Sequence, residues 1–223
     1  MSSPSTPASR TIETIRTATR RRFLATATFF AIGTLSLAAS QGLARILGAV
    51  GVVTGLILGV LLQILGLIAG AYGATIFLRT SPLNESAAAS QRLLVSAAGV
   101  VLPLSAALAA AWTVLAVSVS ALVLLVELPL FWGPISACAA AGLVYAAREL
   151  ASERMAILAG IGCGGIVAIG VSSAAWTVLA GASSIQSGRL AIDLLIATLG
   201  FLAIAISFER DAWAARGLRP GRR

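Results

Sequence analysis

No charged side chain interrupts residues 46–78, ILGAVGVVTGLILGVLLQILGLIAGAYGATIFL. About 20 apolar residues are enough for a helix to cross the ~30 Å hydrocarbon core of a bilayer. The 33 residues of this run would form a helix about 50 Å long at ~1.5 Å per residue. We therefore expect a membrane-spanning helix that tilts, breaks or begins outside the hydrocarbon core.

The rest of the chain shares this composition. Hydrophobic residues make up 58% of the sequence and charged residues 11%, and the mean hydropathy is +0.97, far from the balance of a soluble domain. The only charge within residues 23–78 is Arg45, and the only charge within 93–147 is Glu127. Residues 155–208 contain only Arg189 and Asp193. Each stretch has room for two crossings and a turn, which predicts an all-α, polytopic transmembrane bundle of about six helices in three hairpins.

The predicted boundaries follow from the charges and from turn residues. We predict spans at residues 23–40, 46–78, 93–126, 130–147, 155–180 and 189–208, between basic tails at 1–22 and 209–223. Pro129, Gly133 and Pro134 predict the outer turn that leads into the fourth span. Residues 11–22 favour a short amphipathic helix on the membrane surface.

The basic residues predict the orientation of the chain. All 16 are Arg, and only Arg45 and Arg189 fall on the predicted outer side, which leaves 14 in cytoplasmic segments. This bias predicts a multi-pass protein of the cell membrane with both termini in the cytoplasm and Arg-rich tails against anionic lipid headgroups. Because the arginines follow the ends of apolar spans and form no basic face, we expect no nucleic-acid partner.

The first span has a second interpretation. Residues 19–24, TRRRFL, resemble a twin-arginine export signal, and a weakly apolar stretch leads from them to small residues at 38–40. That route usually carries folded soluble domains, whereas further apolar spans follow here. We expect an uncleaved first helix, with cleavage near residue 40 as the alternative.

Glycines at helical spacing form the most specific local pattern. The second span contains Gly51, Gly55, Gly59, Gly66 and Gly70. A glycine groove lets another helix approach closely enough for van der Waals and weak hydrogen-bond contacts. The groove is therefore a candidate helix-packing surface for this chain, for a second copy in a homo-oligomer or for a larger membrane complex.

Two polar residues are candidates for a polar path through the membrane. Gln63 lies on the glycine face, and an amide in hydrocarbon needs either a partner on another helix or a hydrated path. Glu127 has no partner close in sequence, whereas Asp193 follows Arg189 by four residues, which predicts a local pair. Packing for Gln63 and an exposed loop position for Glu127 are the alternatives.

The string AAWTVLA occurs at residues 110–116 and again at 174–180, which indicates that the second and third hairpins are parallel repeats. Trp112 and Trp176 within the string, and Trp132, are predicted interfacial anchors. A ligand-binding role for the two repeated tryptophans stays open.

The residues that most catalytic and metal sites require are scarce. The chain has no His, so it lacks both a Ser-His or Cys-His relay and an imidazole metal site. Residues 160–165, GIGCGG, match a dinucleotide fingerprint, but they lie in a predicted helix with no strand before them, which favours helix packing. Cys138 and Cys163 fall in apolar spans and are expected to be small packing residues. We predict no enzyme, no cofactor and no metal.

These observations favour a transporter- or channel-like membrane component that moves a small solute or ion. The alternative is a structural or accessory subunit that docks into a larger membrane complex through the glycine-rich face of its second helix.

Overall fold

The computed structural model describes residues 7–80, 121–180 and 187–217, and it confirms the all-helical class for them. The five helices are α1 (Pro7–Gly42), α2 (Ala44–Thr80), α3 (Ala121–Leu150), α4 (Glu153–Ala180) and α5 (Ser187–Gly217). By length and composition, each contains a segment that is able to cross a membrane. The first 28 residues of the predicted third span lie outside the described part of the chain.

The outer surface of the bundle is apolar. Large hydrophobic side chains are exposed along all five of these helices, among them Ile46, Tyr145, Ile161, Leu179 (85% exposed) and Leu199. Apolar patches of this extent are unfavourable in water, because burial of such surface is the main driving force of folding. The surface fits a hydrocarbon solvent.

Aromatic pairs hold α1 against α5 in an antiparallel arrangement. The rings of Phe23 and Phe208 stack with centroids 6.0 Å apart, and those of Phe30 and Phe201 lie 4.8 Å apart. All four side chains are fully buried. Because residue numbers rise along α1 as they fall along α5, the two helices run in opposite directions.

Close glycine contacts give the directions of the remaining pairs. On α2, Gly55 lies against Ser40 of α1, and Gly73 lies against Arg22 near the start of α1, so α1 and α2 are antiparallel. The helix α4 packs between α3 and α5. It is antiparallel to α5, because its Gly162 lies against Gly200 whereas its later residue Trp176 lies near Arg189.

An arginine of α1 caps the end of α3. The Nη2 of Arg20 donates a hydrogen bond of 2.6 Å to the carbonyl oxygen of Leu150, the last residue of α3. A cation is favourable there because the last carbonyls of a helix lack intrahelical partners. The contact places the end of α3 beside the start of α1. Consequently α2, α3 and α5 run in one direction and α1 and α4 in the other, and Thr80 and Ala121 lie toward opposite ends of the bundle.

The first two helices differ from the sequence prediction in detail. Instead of a surface helix followed by a span that begins at residue 23, α1 is continuous from Pro7 to Gly42. Its early residues Thr19 and Phe23 are already buried inside the bundle, which explains the continuity. The overlong second helix bends at Gly48, where φ is 63° and ψ is −178°. This left-handed conformation suits glycine, which has no Cβ to clash.

The predicted turn at Pro129, Gly133 and Pro134 is wrong. All three residues lie inside α3, which begins at Ala121. Membrane helices accommodate proline because neighbouring helices and local adjustments satisfy the freed backbone groups. The backbone of Gly133 packs directly on that of Gly170 of α4, so this glycine allows a close helix crossing.

Candidate functional site

The fully buried polar side chains that the structure describes in the bundle are uncharged. Among the described residues, every buried polar side chain classed with the core is Ser, Thr or Gln: Thr19, Thr26, Thr34, Ser40, Gln41, Gln63, Ser136, Ser173, Thr177, Thr198 and Ser207. The indole of Trp132 is also buried. A site built from these buried side chains is therefore made of neutral hydrogen-bonding groups.

Many of these side chains are satisfied by their own helix. The hydroxyl of Thr19 donates to the carbonyl oxygen of Ile15 at 2.9 Å, and the hydroxyl of Ser207 donates to that of Ile204 at 2.6 Å. Thr26 and Thr177 make the same type of bond four residues back. Such bonds let a hydroxyl lie in an apolar interior without an external partner.

One hydroxyl pair connects two helices near the middle of the bundle. The Oγ1 atoms of Thr34 in α1 and Thr198 in α5 lie 2.9 Å apart. Each hydroxyl also contacts a carbonyl oxygen of its own helix, Phe30 and Leu194 respectively. Thr198 is near the centre of the apolar segment Gly188–Glu209, so the pair lies at about half the depth of that span.

Gln63 lies at the same depth, in the contact between α1 and α2. Its side chain is 2% exposed, and its Nε2 is buried without a hydrogen-bond partner in the described structure. A Cβ on Gly33 would lie 3.0 Å from Cγ of Gln63 and 2.8 Å from the carbonyl oxygen of Gly59. Since Thr34 directly follows Gly33, the amide and the hydroxyl pair form one level, which we name the central polar layer (Thr34, Gln63 and Thr198).

Two further residues belong near this level: Trp132, which the sequence predicted as an interfacial anchor, and Ser136, which the sequence did not single out. Ser136 and Trp132 lie on α3, 0% and 2% exposed, and their Oγ and Nε1 atoms are buried with no partner in the described part of the chain. Gly133 of α3 contacts Gly170 of α4. Because α3 and α4 run antiparallel, Ser136 lies at the level of Ile166 in α4. Ile166 in turn contacts α5 two residues from Thr198. The sequence signal that could have identified this pair is a Ser four residues after a Trp within an apolar span.

Another buried group without a hydrogen-bond partner, in the side chain of Gln41, lies closer to the end of α1. Gln41 is 2% exposed, its Oε1 has no partner within the described helices, and its Nε2 reaches only Ser40 Oγ at 3.4 Å. Gln41 follows Thr34 by seven residues, which places it two helical turns away on a similar face of α1.

The predicted glycine face of α2 lies mainly against α1. A Cβ on Gly55 would lie 2.8 Å from the Cβ of Ser40, and a Cβ on Gly66 would lie 3.0 Å from the Cβ of Phe29. Ser36 adds a hydrogen bond of 3.1 Å from its hydroxyl to the carbonyl oxygen of Gly55. Close approach therefore coincides with a direct interhelical bond.

The other predicted glycines have different surroundings. Gly59 faces Gly33 of α1, and Gly70 is buried. The nearest group to a Cβ on Gly51 would be the side chain of Leu47 in its own helix, at 2.6 Å, next to the bend at Gly48. Gly51 therefore contributes to the bend region more than to a contact between helices.

The remaining predicted residues are placed as follows. Trp176 is 46% exposed near the end of α4, with the guanidinium carbon of Arg189 4.7 Å from its ring centroid, an arrangement favourable for a cation–π contact. Trp132 lies inside the bundle, so its indole is not on the lipid-facing surface. Glu127 falls in α3, but its side chain lies outside the described part, as does Trp112 with the first copy of the repeat.

The glycine cluster at 160–165 lies inside α4 and divides into two faces. Gly162 lies against Gly200 of α5, whereas nothing is within 4 Å of a Cβ on Gly160, Gly164 or Gly165. The cluster is part of a helix with no strand leading into it, so it lacks the context of a dinucleotide site. No group of three or more His, Cys, Asp or Glu side chains meets within the described residues.

The fold and its interior define the class of protein. Five helices of this length and composition are compatible with a multi-pass integral membrane protein. Comparison of the chain with known family models, curated proteins and solved structures gives no match. The residues that bear on its function are therefore those of the central polar layer and its surroundings.

Proposed function

We propose that this protein is a non-enzymatic, transporter- or channel-like component that moves a small solute or ion through the central polar layer. The observation that carries the proposal is Gln63, a carboxamide that is 2% exposed at mid-depth and whose Nε2 has no partner among the described residues.

The buried amide of Gln63 leaves one hydrogen bond unmade. A buried donor without an acceptor costs about 1–3 kcal/mol relative to a satisfied or apolar group. Leu at this position would fill similar space without that cost. Gln63 also donates no interhelical hydrogen bond from Nε2 within the described structure. Hydrogen bonding between helices through Nε2 therefore does not explain the presence of Gln at this position. A solute or ion that accepts a hydrogen bond from Nε2 while it passes through the central polar layer does explain it.

The proposal includes an orientation of six crossings with both termini in the cytoplasm of a cell. It is supported by two independent features. The described helices begin with α1 and end with α5 toward the same end of the bundle, and Arg20, Arg21 and Arg22 lie near that end, whereas residues 45 and 189 lie toward the opposite end. Anionic lipid headgroups are the partners proposed for the tails.

Orientation is tested with single cysteines. Cys138 and Cys163 are replaced by Ala, and one Cys is then introduced into each tail in turn. A membrane-impermeant maleimide added to intact cells should label neither tail until the membrane is permeabilised. Labelling of exactly one tail in intact cells would contradict an even number of crossings.

Transport is tested on the reconstituted full chain. Gln63→Leu is expected to reduce the flux of the transported solute or ion in proteoliposomes. Thr54→Val is the matched control, because Thr54 lies on the exposed side of α2 and its hydroxyl bonds its own helix. Equal flux in wild type, Gln63→Leu and the control would refute a path through Gln63.

The accessory-subunit alternative is less well supported. It requires the glycine face of α2 as a docking surface, and α1 already covers Gly55, Gly59 and Gly66. A variant such as Gly55→Leu would disturb the packing of α1 as well as any docking. Native mass spectrometry of the protein extracted from its own membrane is therefore the better assay for a partner subunit or a homo-oligomer.

A further inference from the structure

We propose that Trp132 and Ser136 of α3 bind the transported molecule, and that this molecule is small, uncharged and equipped with a hydrogen-bond-accepting oxygen. The inference rests on the proposed function and narrows it from solutes and ions to neutral polar molecules, water included.

Two unpartnered groups point to a ligand. Trp132 Nε1 and Ser136 Oγ are both buried and both lack a hydrogen-bond partner within the described residues. Residues four apart lie on the same face of a helix, about 5–6 Å apart at their Cβ atoms. An indole N–H can only donate, while a hydroxyl can donate and accept. One oxygen-bearing molecule between them would satisfy both groups.

The charge of the surroundings decides the class of molecule. Among the side chains that the structure describes, no acidic or basic one is buried as a whole. An ion taken from water into such a site would need compensating charges or several ligands to offset its desolvation. The N–H donors of Trp132 and Gln63 are also the wrong polarity for a cation. A neutral molecule meets neither obstacle.

The experiment measures permeation of named probes into proteoliposomes of the full chain. Stopped-flow light scattering follows water with a sucrose gradient, and glycerol and urea with gradients of each. A chloride-sensitive dye follows chloride. The variants are Ser136→Ala and Trp132→Phe. Their matched controls are Ser172→Ala and Trp176→Phe, which alter exposed residues of α4.

We expect at least one uncharged probe to cross faster than in protein-free vesicles. The two α3 variants should slow it by about fivefold each, the effect of losing one hydrogen bond, and the controls should not. If an uncharged probe crosses equally fast in the α3 variants, the site is refuted while the proposed function stands. Chloride flux without flux of an uncharged probe refutes the uncharged class.

A second measurement does not depend on transport. Thermal unfolding in detergent is compared for Ser136→Ala and Ser207→Ala, because Ser207 is equally buried but bonded to its own helix. If Ser136 holds a bound molecule, both variants lower Tm. If its hydroxyl is dry and unpaired, Ser136→Ala raises Tm, which refutes the binding site even when no probe crosses the wild type.

Discussion

Alanine at Gly162 and alanine at Gly164 should change stability in opposite directions, although the two glycines lie two residues apart in α4. A Cβ on Gly162 would lie 2.5 Å from the carbonyl oxygen of Gly200 and 3.3 Å from the Cβ of Ala203. A Cβ on Gly164 would have nothing within 4 Å. The same substitution therefore meets backbone at one site and open space at the other.

The magnitudes follow from two competing effects. Replacing Gly by Ala in a helix gains about 0.5–1 kcal/mol, because the glycine backbone loses more freedom on folding. Overpacking a tight contact costs about 1–3 kcal/mol, and the contact at Gly162 is with backbone, which cannot move aside like a flexible side chain. Gly164→Ala should gain about 0.5–1 kcal/mol, and Gly162→Ala should lose roughly 1–2 kcal/mol net.

The assay is unfolding of the purified protein in mixed micelles with a rising fraction of sodium dodecyl sulfate, followed by far-UV circular dichroism. The midpoint should fall for Gly162→Ala and rise for Gly164→Ala relative to wild type. Stabilisation by both variants would refute the close contact between α4 and α5. Destabilisation by both would refute the open face of α4.

Three further results are expected. Arg20→Ala should lower the free energy of unfolding by about 1.5–3 kcal/mol in the same assay, because it removes a charge-assisted hydrogen bond to the last carbonyl of α3. Arg21→Ala, at an exposed position, should be nearly neutral, and equal effects of the two variants would contradict the cap. A double-mutant cycle of Thr34→Val and Thr198→Val should give a coupling of about 0.6 kcal/mol, and zero coupling would contradict their contact. Intact mass of the protein from native membranes should include residues 1–40, because α1 is packed along both α2 and α5; a mass that lacks them would contradict the uncleaved first helix.

The helical class could be predicted from the sequence because the length of an apolar run is a local property. It does not depend on contacts between distant segments. The predicted spans 46–78 and 155–180 lie inside α2 and α4. The same approach failed at Pro129 and Pro134, because turn preferences come from proteins in water. In α3 a helix continues through both prolines, as membrane helices can when surrounding groups replace the lost hydrogen bonds.

The site was less predictable than the fold. Gln63 stands out in the sequence because it is a long polar side chain in an apolar run, but its position opposite Gly33 depends on how two helices align. Ser136 resembles many other serines of the chain until its burial and lack of a partner are known. Burial and pairing arise from contacts between distant segments, which a single sequence does not encode in any local pattern.

The packing and polar-path interpretations of Gln63, which the sequence presents as alternatives, are linked through Gly33. This glycine lets the backbones of α1 and α2 approach until a Cβ at that position would lie 2.8 Å from the carbonyl oxygen of Gly59. At that separation the amide of Gln63 is enclosed between the helices and cannot extend into lipid. The next residue of α1, Thr34, faces the opposite neighbour α5. Close glycine packing on one side of α1 therefore brings the amide to the level of the threonine pair, so the packing of the helices itself creates the central polar layer.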